Sequence, residues 1–296
     1  MSKFLQPKGM EPGIYFDLSN EAYHDDPALS HSGMTNILLS WPDYWARSVH
    51  NPDRKQYYAT DAMKFGERSG MYLLENDKFY RRYATARTGG GHKGSFISSV
   101  EYKAIRDSVE AIRGVEVGNQ YFSDGYPEVS VFWQDPSTGV MLRARMDYLR
   151  TFGAIDFKRI AELNNPAIGR AVRNQGLDIQ QYLYLEAIKA ARQMLRGKAP
   201  NVHGEVDSDW LAAFRDDDDL FFRFLFQRSS PPYIWEIREL DQDLLIEGEN
   251  AVRHAILRYR KCVERYGLGK PPCGSDEVKT IHSYHVPRRD YDYEQI

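Results

Sequence analysis

Residues 141–158 read Met141-Leu142-Arg143-Ala144-Arg145-Met146-Asp147-Tyr148-Leu149-Arg150-Thr151-Phe152-Gly153-Ala154-Ile155-Asp156-Phe157-Lys158. Side chains alternate between the two faces of a strand, so Arg143, Arg145 and Asp147 are expected on one face and Leu142, Ala144 and Met146 on the other. After a tight turn at Thr151-Phe152-Gly153, the same period places Asp156 and Lys158 together, with Ile155 and Phe157 directed into an apolar layer. Adjacent strands joined this way set Asp147 beside Asp156, with Lys158 about 7 Å farther along. The product is a pair of carboxylates next to an ammonium.

Working outward, residues 128–134 read as a strand that turns at Asp135-Pro136-Ser137-Thr138-Gly139, giving a three-stranded meander. Helical periodicity is expected over residues 62–74 and 99–113 before it. After it come a helix with Asn165 as cap and Pro166 at its start, a break near Gly176, and a longer helix from 178 to 195. A strand pair at 220–227 and 233–240 leads to a closing amphipathic helix that buries Leu244, Leu245, Val252, Ile256, Tyr259 and Val263. Strands flanked by helices on this scale define an α/β or α+β sandwich with a central mixed sheet. Residues 1–60 read as an ordered lead-in segment packed on the core, with a short helix capped by Ser32 and ending near Trp41-Pro42; residues 61–296 read as the main domain. Residues 197–219, ending in Asp216-Asp217-Asp218-Asp219, read as a solvated polar insertion, because an acidic run without ordered partners repels itself. The stretch Thr88-Gly89-Gly90-Gly91-His92-Lys93-Gly94 lacks the ending of a phosphate-binding loop and reads as a surface loop.

Composition narrows the chemistry. A 296-residue chain with 42% hydrophobic residues can bury a sizeable core, and 39 Lys+Arg against 42 Asp+Glu leaves a net charge of −3. Global charge therefore gives no support to nucleic-acid binding, and a cationic surface would have to be local. Two cysteines, Cys262 and Cys273, exclude a disulfide framework or a thiolate zinc site. There is no apolar leader and no membrane-length apolar run, so the expected location is the cytoplasm.

Two carboxylates held close repel unless a cation lies between them, which favours a divalent ion, and oxygen ligands suit Mg²⁺ or Mn²⁺. Such an ion, with Lys158 to orient or deprotonate a water, fits phosphodiester hydrolysis. An Asp-x-Lys pair on an exposed strand with no chemistry has the same spacing. Gln180 and Tyr184 stand four apart on one helix face directly after these strands, where an amide and a phenol can meet a phosphate or position a base. Arg143 and Arg145 would line the approach and hold DNA phosphates.

The ordered set Asp147, Asp156-x-Lys158 and Gln180-x-x-x-Tyr184 resembles the nuclease core of the RecE-type exonuclease VIII family, of the PD-(D/E)xK superfamily. Pro12-Gly13-Ile14-Tyr15, Tyr23-His24, Leu29-Ser30-His31-Ser32-Gly33, Phe65-Gly66, Leu73-Leu74-Glu75, Phe79, Arg143-x-Arg145-x-Asp147-Tyr148, Asp178-Ile179-Gln180 and Pro231-Pro232-Tyr233 are similar to that family over nearly the whole chain. The resemblance implies a restriction-endonuclease-like core and a metal-dependent exonuclease that degrades linear duplex DNA, in that family from the 5′ end, for a single-strand annealing partner in recombination. It implies Asp147 and Asp156 as metal ligands, Lys158 as the catalytic lysine, and Gln180 and Tyr184 as the accessory motif. Oligomeric state stays open, a homo-oligomer included. One departure stands out. The family carries a histidine ligand four residues after the helix glycine, where this chain has Gly70 after Gly66. Glu67 or Glu128 could take its place, the ion could be held by fewer groups, or the chain could be an impaired nuclease that binds DNA or regulates. A hydrolase outside nucleic-acid metabolism and a purely structural protein also remain open.

Overall fold

The computed structural model describes residues 9–55, 60–84 and 95–269; the glycine-rich stretch at 88–94 and Cys273 lie outside them. In chain order the elements begin with β1 (Gly13–Tyr15), α1 (Asn20–Asp25), α2 (His31–Leu39), α3 (Trp41–Arg47), α4 (Asp61–Leu74) and α5 (Asn76–Arg82). The short strands β2 (Tyr83–Ala84) and β3 (Ser95–Phe96) precede α6 (Ser99–Arg113) and α7 (Glu116–Tyr121). Next come the meander of β4 (Gly125–Gln134), β5 (Met141–Arg150) and β6 (Gly153–Ile160), then α8 (Asn165–Gln175) and α9 (Leu177–Leu195). The chain continues through β7 (Val202–His203), α10 (Ser208–Asp216), β8 (Phe221–Arg228), β9 (Trp235–Arg238) and α11 (Gln242–Tyr266).

Seven strands form one mixed sheet in the order β7-β1-β4-β5-β6-β8-β9. Pairing is antiparallel except for β1 with β7 and β6 with β8. This is the expected central mixed sheet flanked by helices. On one face Leu142, Ala144, Met146 and Ala154 pack with Leu183, Ala187 and Ile188 of α9, Val252 and Ile256 of α11, and Met34 and Ile37 of α2. On the other, Tyr148, Ile155 and Leu225 meet Leu73 of α4 and Val109 and Ile112 of α6. The N-terminal segment covers the rest of that face through Tyr15, Tyr23 and Ala28 around Phe132. Among the described residues, no helix is long and apolar enough to cross a membrane.

Several local expectations change. Ser40 closes α2 and caps α3, accepting from Asp43 N, so Trp41-Pro42 starts a helix rather than ending one. Asn164, not Asn165, caps α8. Residues 197–219 are not a solvated excursion: β7 pairs with β1, and Phe214 of α10 is buried in the main core. The reason is tertiary, because Trp210 and Phe214 give a polar segment one apolar edge that stacks on the sheet's flank. The acidic run itself does stay in water, with Asp218 fully exposed.

The pairing of β5 decides where chemistry can happen. Its C-terminal end pairs with β6 at Tyr148↔Ile155, Leu149↔Ala154 and Arg150↔Gly153, and there the ladder stops. At its N-terminal end the same edge is taken by the lead-in segment: Leu29 N donates to Met141 O (2.9 Å) and Arg143 N to Leu29 O (3.1 Å). Between these contacts β5 and β6 diverge, and β6 continues in parallel pairing with β8 from Gly153↔Phe221 to Ile160↔Arg228.

Helix α11 closes over this arrangement by an unusually near approach. A Cβ on Gly248 would lie 2.3 Å from the Asp178 carbonyl oxygen at the start of α9. Gly248→Val should therefore force the two helices apart, with a loss of about 1–3 kcal/mol or more from overpacking against backbone. Urea unfolding of the two proteins measures it, and equal midpoints would show that the contact is loose.

Candidate active site

The divergence of β5 and β6 leaves the N–H of Phe157 without a strand partner, and the carboxylate of Asp147 accepts it, Oδ2 to N at 2.8 Å. A buried backbone donor must be satisfied, so the side chain does what a facing carbonyl would otherwise do. One further step in the β5–β6 register sets Asp147 across from Asp156. Glu128 comes next on β4, between the pairs Pro127↔Tyr148 and Val129↔Met146, so three carboxylates stand in line across three strands. Glu128 has φ +53°, a left-handed conformation uncommon for a residue with a side chain.

That distortion corrects one expectation. Met146 and Leu149 both lie in the main core, while Tyr148 lies in the opposite one, so strict alternation breaks at Asp147. The Asp147 carboxylate turns to the backbone of β6 at Phe157, while Arg143 and Arg145 turn to the N-terminal segment. Both arginines are buried, at 7% and 8% exposure. Arg143 donates to the carbonyls of Tyr23 and Asp26, the latter at 2.8 Å. Arg145 donates to Ser130 Oγ (2.8 Å) and the carbonyls of Leu18 and Ser19, and both guanidinium groups lie on the Tyr23 ring. Both arginines fasten the N-terminal segment to the sheet, which leaves them little exposed surface for the DNA phosphates expected there.

Asp156 is 1% exposed, and each of its oxygens is addressed. Gln180 Nε2 donates to Oδ1 at 2.6 Å, and Lys158 Nζ lies 2.5 Å from Oδ2. Gln180 is presented by the first turn of α9, and Tyr184, one turn later, is buried with its ring edge-on to Phe222. Burial, with the nearby charges of Asp156 and Asp147, holds the Tyr184 phenol well above its usual range, while a hydrogen bond with Gln180 acts the other way. Tyr184 is thus a neutral phenol that supports Gln180, and Gln180 is a brace for Asp156 rather than a free phosphate ligand.

Charges in the fork are strongly coupled. Burial first, then the proximity of Asp156, raises the Asp147 pKa well above the ordinary carboxylate value, with Glu128 adding to the rise. Burial also raises Glu128, against the pull of Arg145 at 3.8 Å. For Lys158 burial acts downward, but Asp156 and Asp147 reverse it, and its pKa is raised. Lys158 is therefore an ammonium at neutral pH. In this state it can orient a water or stabilise anionic charge, and an ion bound to Asp147 and Asp156 would offset the negative charge that raises its pKa.

Glu67 is not at the site; it pairs with Arg82 at 3.0 Å. Gly70 faces Phe157, since a Cβ there would lie 4.0 Å from Phe157 Cδ1, on the sheet face away from Asp156 and Lys158. Among the described residues, no group of three or more His, Cys, Asp or Glu side chains is close enough together to hold a metal ion by itself. The donor set is two carboxylates, and Asp147 Oδ1 has no hydrogen-bond partner among the described residues. That set fits an ion such as Mg²⁺, which takes one or two carboxylates and completes its shell with water and substrate phosphate. His31, to which the sequence patterns assign no role, approaches this centre and feels the charges of Lys158 and Asp156. No local pattern marks it, because only the docking of the N-terminal segment on the β5 edge brings it there.

The seven-stranded mixed sheet flanked by helices matches an exonuclease-like fold. A crystal structure from Eubacterium rectale, of a protein provisionally named an exonuclease, is similar: TM-score 0.57, 17% sequence identity, over 83% of this chain and 87% of that one. The likeness is one of fold. No family model matches this chain, and no curated protein sequence matches it.

The sign of the Asp147 shift gives a prediction. A raised folded-state pKa means that the folded chain binds the proton more tightly than the unfolded chain. The associated stability is fully present below the ordinary carboxylate pKa and is lost as pH rises through the folded-state value. Without divalent ions the chain should become less stable as pH rises from the ordinary carboxylate range toward neutrality. Asp147→Asn, which keeps an oxygen for Phe157 N–H, should flatten that fall and be the more stable protein at pH 7. Thermal midpoints across pH, with chelator present, measure both curves; parallel curves would contradict the coupling.

Proposed function

We propose that this chain is a divalent-metal-dependent nuclease that hydrolyses phosphodiester bonds of linear duplex DNA as an exonuclease. The observation that carries the reading is the pair Asp147 and Asp156, held at a strand fork with one ammonium and one amide already committed to Asp156. The fold shared with the Eubacterium rectale structure supports it. Asp147 and Asp156 would hold Mg²⁺ or Mn²⁺. Bound there, the ion supplies Lewis acidity and a water of lowered pKa. Gln180 keeps the Asp156 carboxylate from rotating, and Phe157 N–H does the same for Asp147. Lys158 Nζ, next to both acids, orients the attacking water and offsets negative charge on the phosphorus centre as the P–O bond breaks. Attack from the 5′ end, a single-strand annealing partner, a homo-oligomer and a role in recombination belong to the same reading and rest on the family resemblance.

A second reading has its own observation. The position of the family histidine is Gly70, aimed at Phe157, and the described residues hold no three-ligand cluster. An impaired nuclease fold that binds DNA without turnover fits those two facts.

Degradation of end-labelled linear duplex, with circular duplex as control, separates the two. The nuclease reading expects loss of the linear substrate with Mg²⁺ or Mn²⁺ and none in excess EDTA; cutting that persists under EDTA rules the mechanism out. Lys158→Met should still bind metal and DNA but lose about 100-fold or more in kcat. Asp156→Asn should lose metal affinity as well. If both variants cut like the wild type per folded molecule, the site is elsewhere.

A further inference from the structure

The lead-in segment does more than cover the sheet. Having paired with β5 at Leu29, it turns at Ser30, whose side chain caps α2 by accepting from Gly33 N. His31, the first residue of α2, then reaches across the fork to the joint between α8 and α9. Its Nε2 lies 2.9 Å from the carbonyl oxygen of Gly176. A carbonyl only accepts, so the ring donates from Nε2. The same carbonyl accepts the backbone N–H of Gln180 at 3.0 Å, the bond that closes the first turn of α9. One oxygen thus ties His31 to the residue whose side chain holds Asp156.

The joint is built for close approach. Gly176 has φ +63°, and a Cβ on it would meet Thr35 Cγ2 at 2.9 Å and His31 Nε2 at 3.4 Å, both from α2. On the far side Gly248 lets α11 close on the Asp178 carbonyl. The first turn of α9 is held from both sides, and on the α2 side the polar contact is His31. Burial first, and Lys158 second, lower the His31 pKa to about 4, while the bond to Gly176 and the charges of Asp156 and Asp178 act the other way.

We propose that His31 is a positioning residue of the active site: its Nε2–H fixes the Gly176 carbonyl, which sets the first turn of α9 and holds the Gln180 amide on Asp156. In terms of reaction this rests on the nuclease reading; in terms of geometry it does not. The histidine that the RecE-type resemblance leads one to expect at position 70 would be a ligand. His31 acts instead one hydrogen bond removed from a proposed ligand, through Gln180.

The test uses the full chain and two readouts. In ¹H–¹⁵N spectra the side-chain amide of Gln180 should show one proton displaced downfield by the Asp156 carboxylate. In His31→Leu that displacement should collapse, and in His31→Gln, whose amide nitrogen reaches about as far as histidine Nε2, it should return. His31→Asn, whose amide stops short of the Gly176 carbonyl, should behave like His31→Leu. If His31→Leu does not fold, the Gln and Asn variants decide, and identical Gln180 signals in those two overturn the proposal. In the cleavage assay His31→Leu should lose about 10–100-fold in kcat with KM for DNA unchanged, as supporting partners of ligands do. It should cause no further loss in a Gln180→Leu background, because both act on one contact. A wild-type chain that does not cut would defeat the nuclease reading while the spectra still judge His31. A cutting wild type whose kcat survives His31→Leu, with the Gln180 signal unmoved, would defeat this inference alone.

Discussion

A backbone N–H that leaves a β-ladder inside a protein has to find another acceptor, and for Phe157 that acceptor is the carboxylate of Asp147 at 2.8 Å. The bond lets β5 and β6 part after three residue pairs without stranding a buried donor. β6 keeps its other edge paired with β8 along its whole length, while the vacated edge of β5 receives Leu29. The fork and the docking of the N-terminal segment both follow from this separation. Asp147 and Asp156 stand across from each other one step past the last pair, at the point where the strands part.

Crowding of this kind costs stability, because each carboxylate raises the free energy of ionising the other in a site with little water. The chain answers with an ammonium, an amide and a backbone N–H, each directed at one oxygen. None of these neutralises Asp147, whose raised pKa records the remaining imbalance. A divalent cation would remove it. On the proposed reading a loaded fork would be relieved of that repulsion, in keeping with the tendency of perturbed carboxylates to mark functional centres.

Much of this was legible in the sequence. The meander, Asp156 and Lys158 on one side with Ile155 and Phe157 on the other, and the helices carrying Gln180 and closing the chain follow from period-two and period-3.6 patterns. The features that pattern could not show are those fixed by contacts between distant segments. Alternation placed Arg143 and Arg145 beside Asp147, but a left-handed Glu128 breaks the alternation, and the arginines serve carbonyls more than a hundred residues away. Residues 197–219 looked solvated because their packing rests on a few scattered apolar residues, Val202, Trp210, Leu211 and Phe214, in a polar stretch. Trp41-Pro42 looked like a helix end because proline serves equally well at a helix start, and Ser40 is what decides. His31 belongs to the same group, since nothing near it in sequence announces Gly176.

The account stands or falls on whether a divalent ion sits in the fork. Anomalous diffraction from crystals grown with Mn²⁺ tests this directly, because it locates the ion without reference to activity. The predicted result is a peak bridging the Asp147 and Asp156 carboxylates, with Gln180 still on Asp156, and its disappearance in Asp156→Asn. A fork without such a peak at saturating Mn²⁺, or a peak confined to the exposed acidic run at residues 216–219, would contradict it.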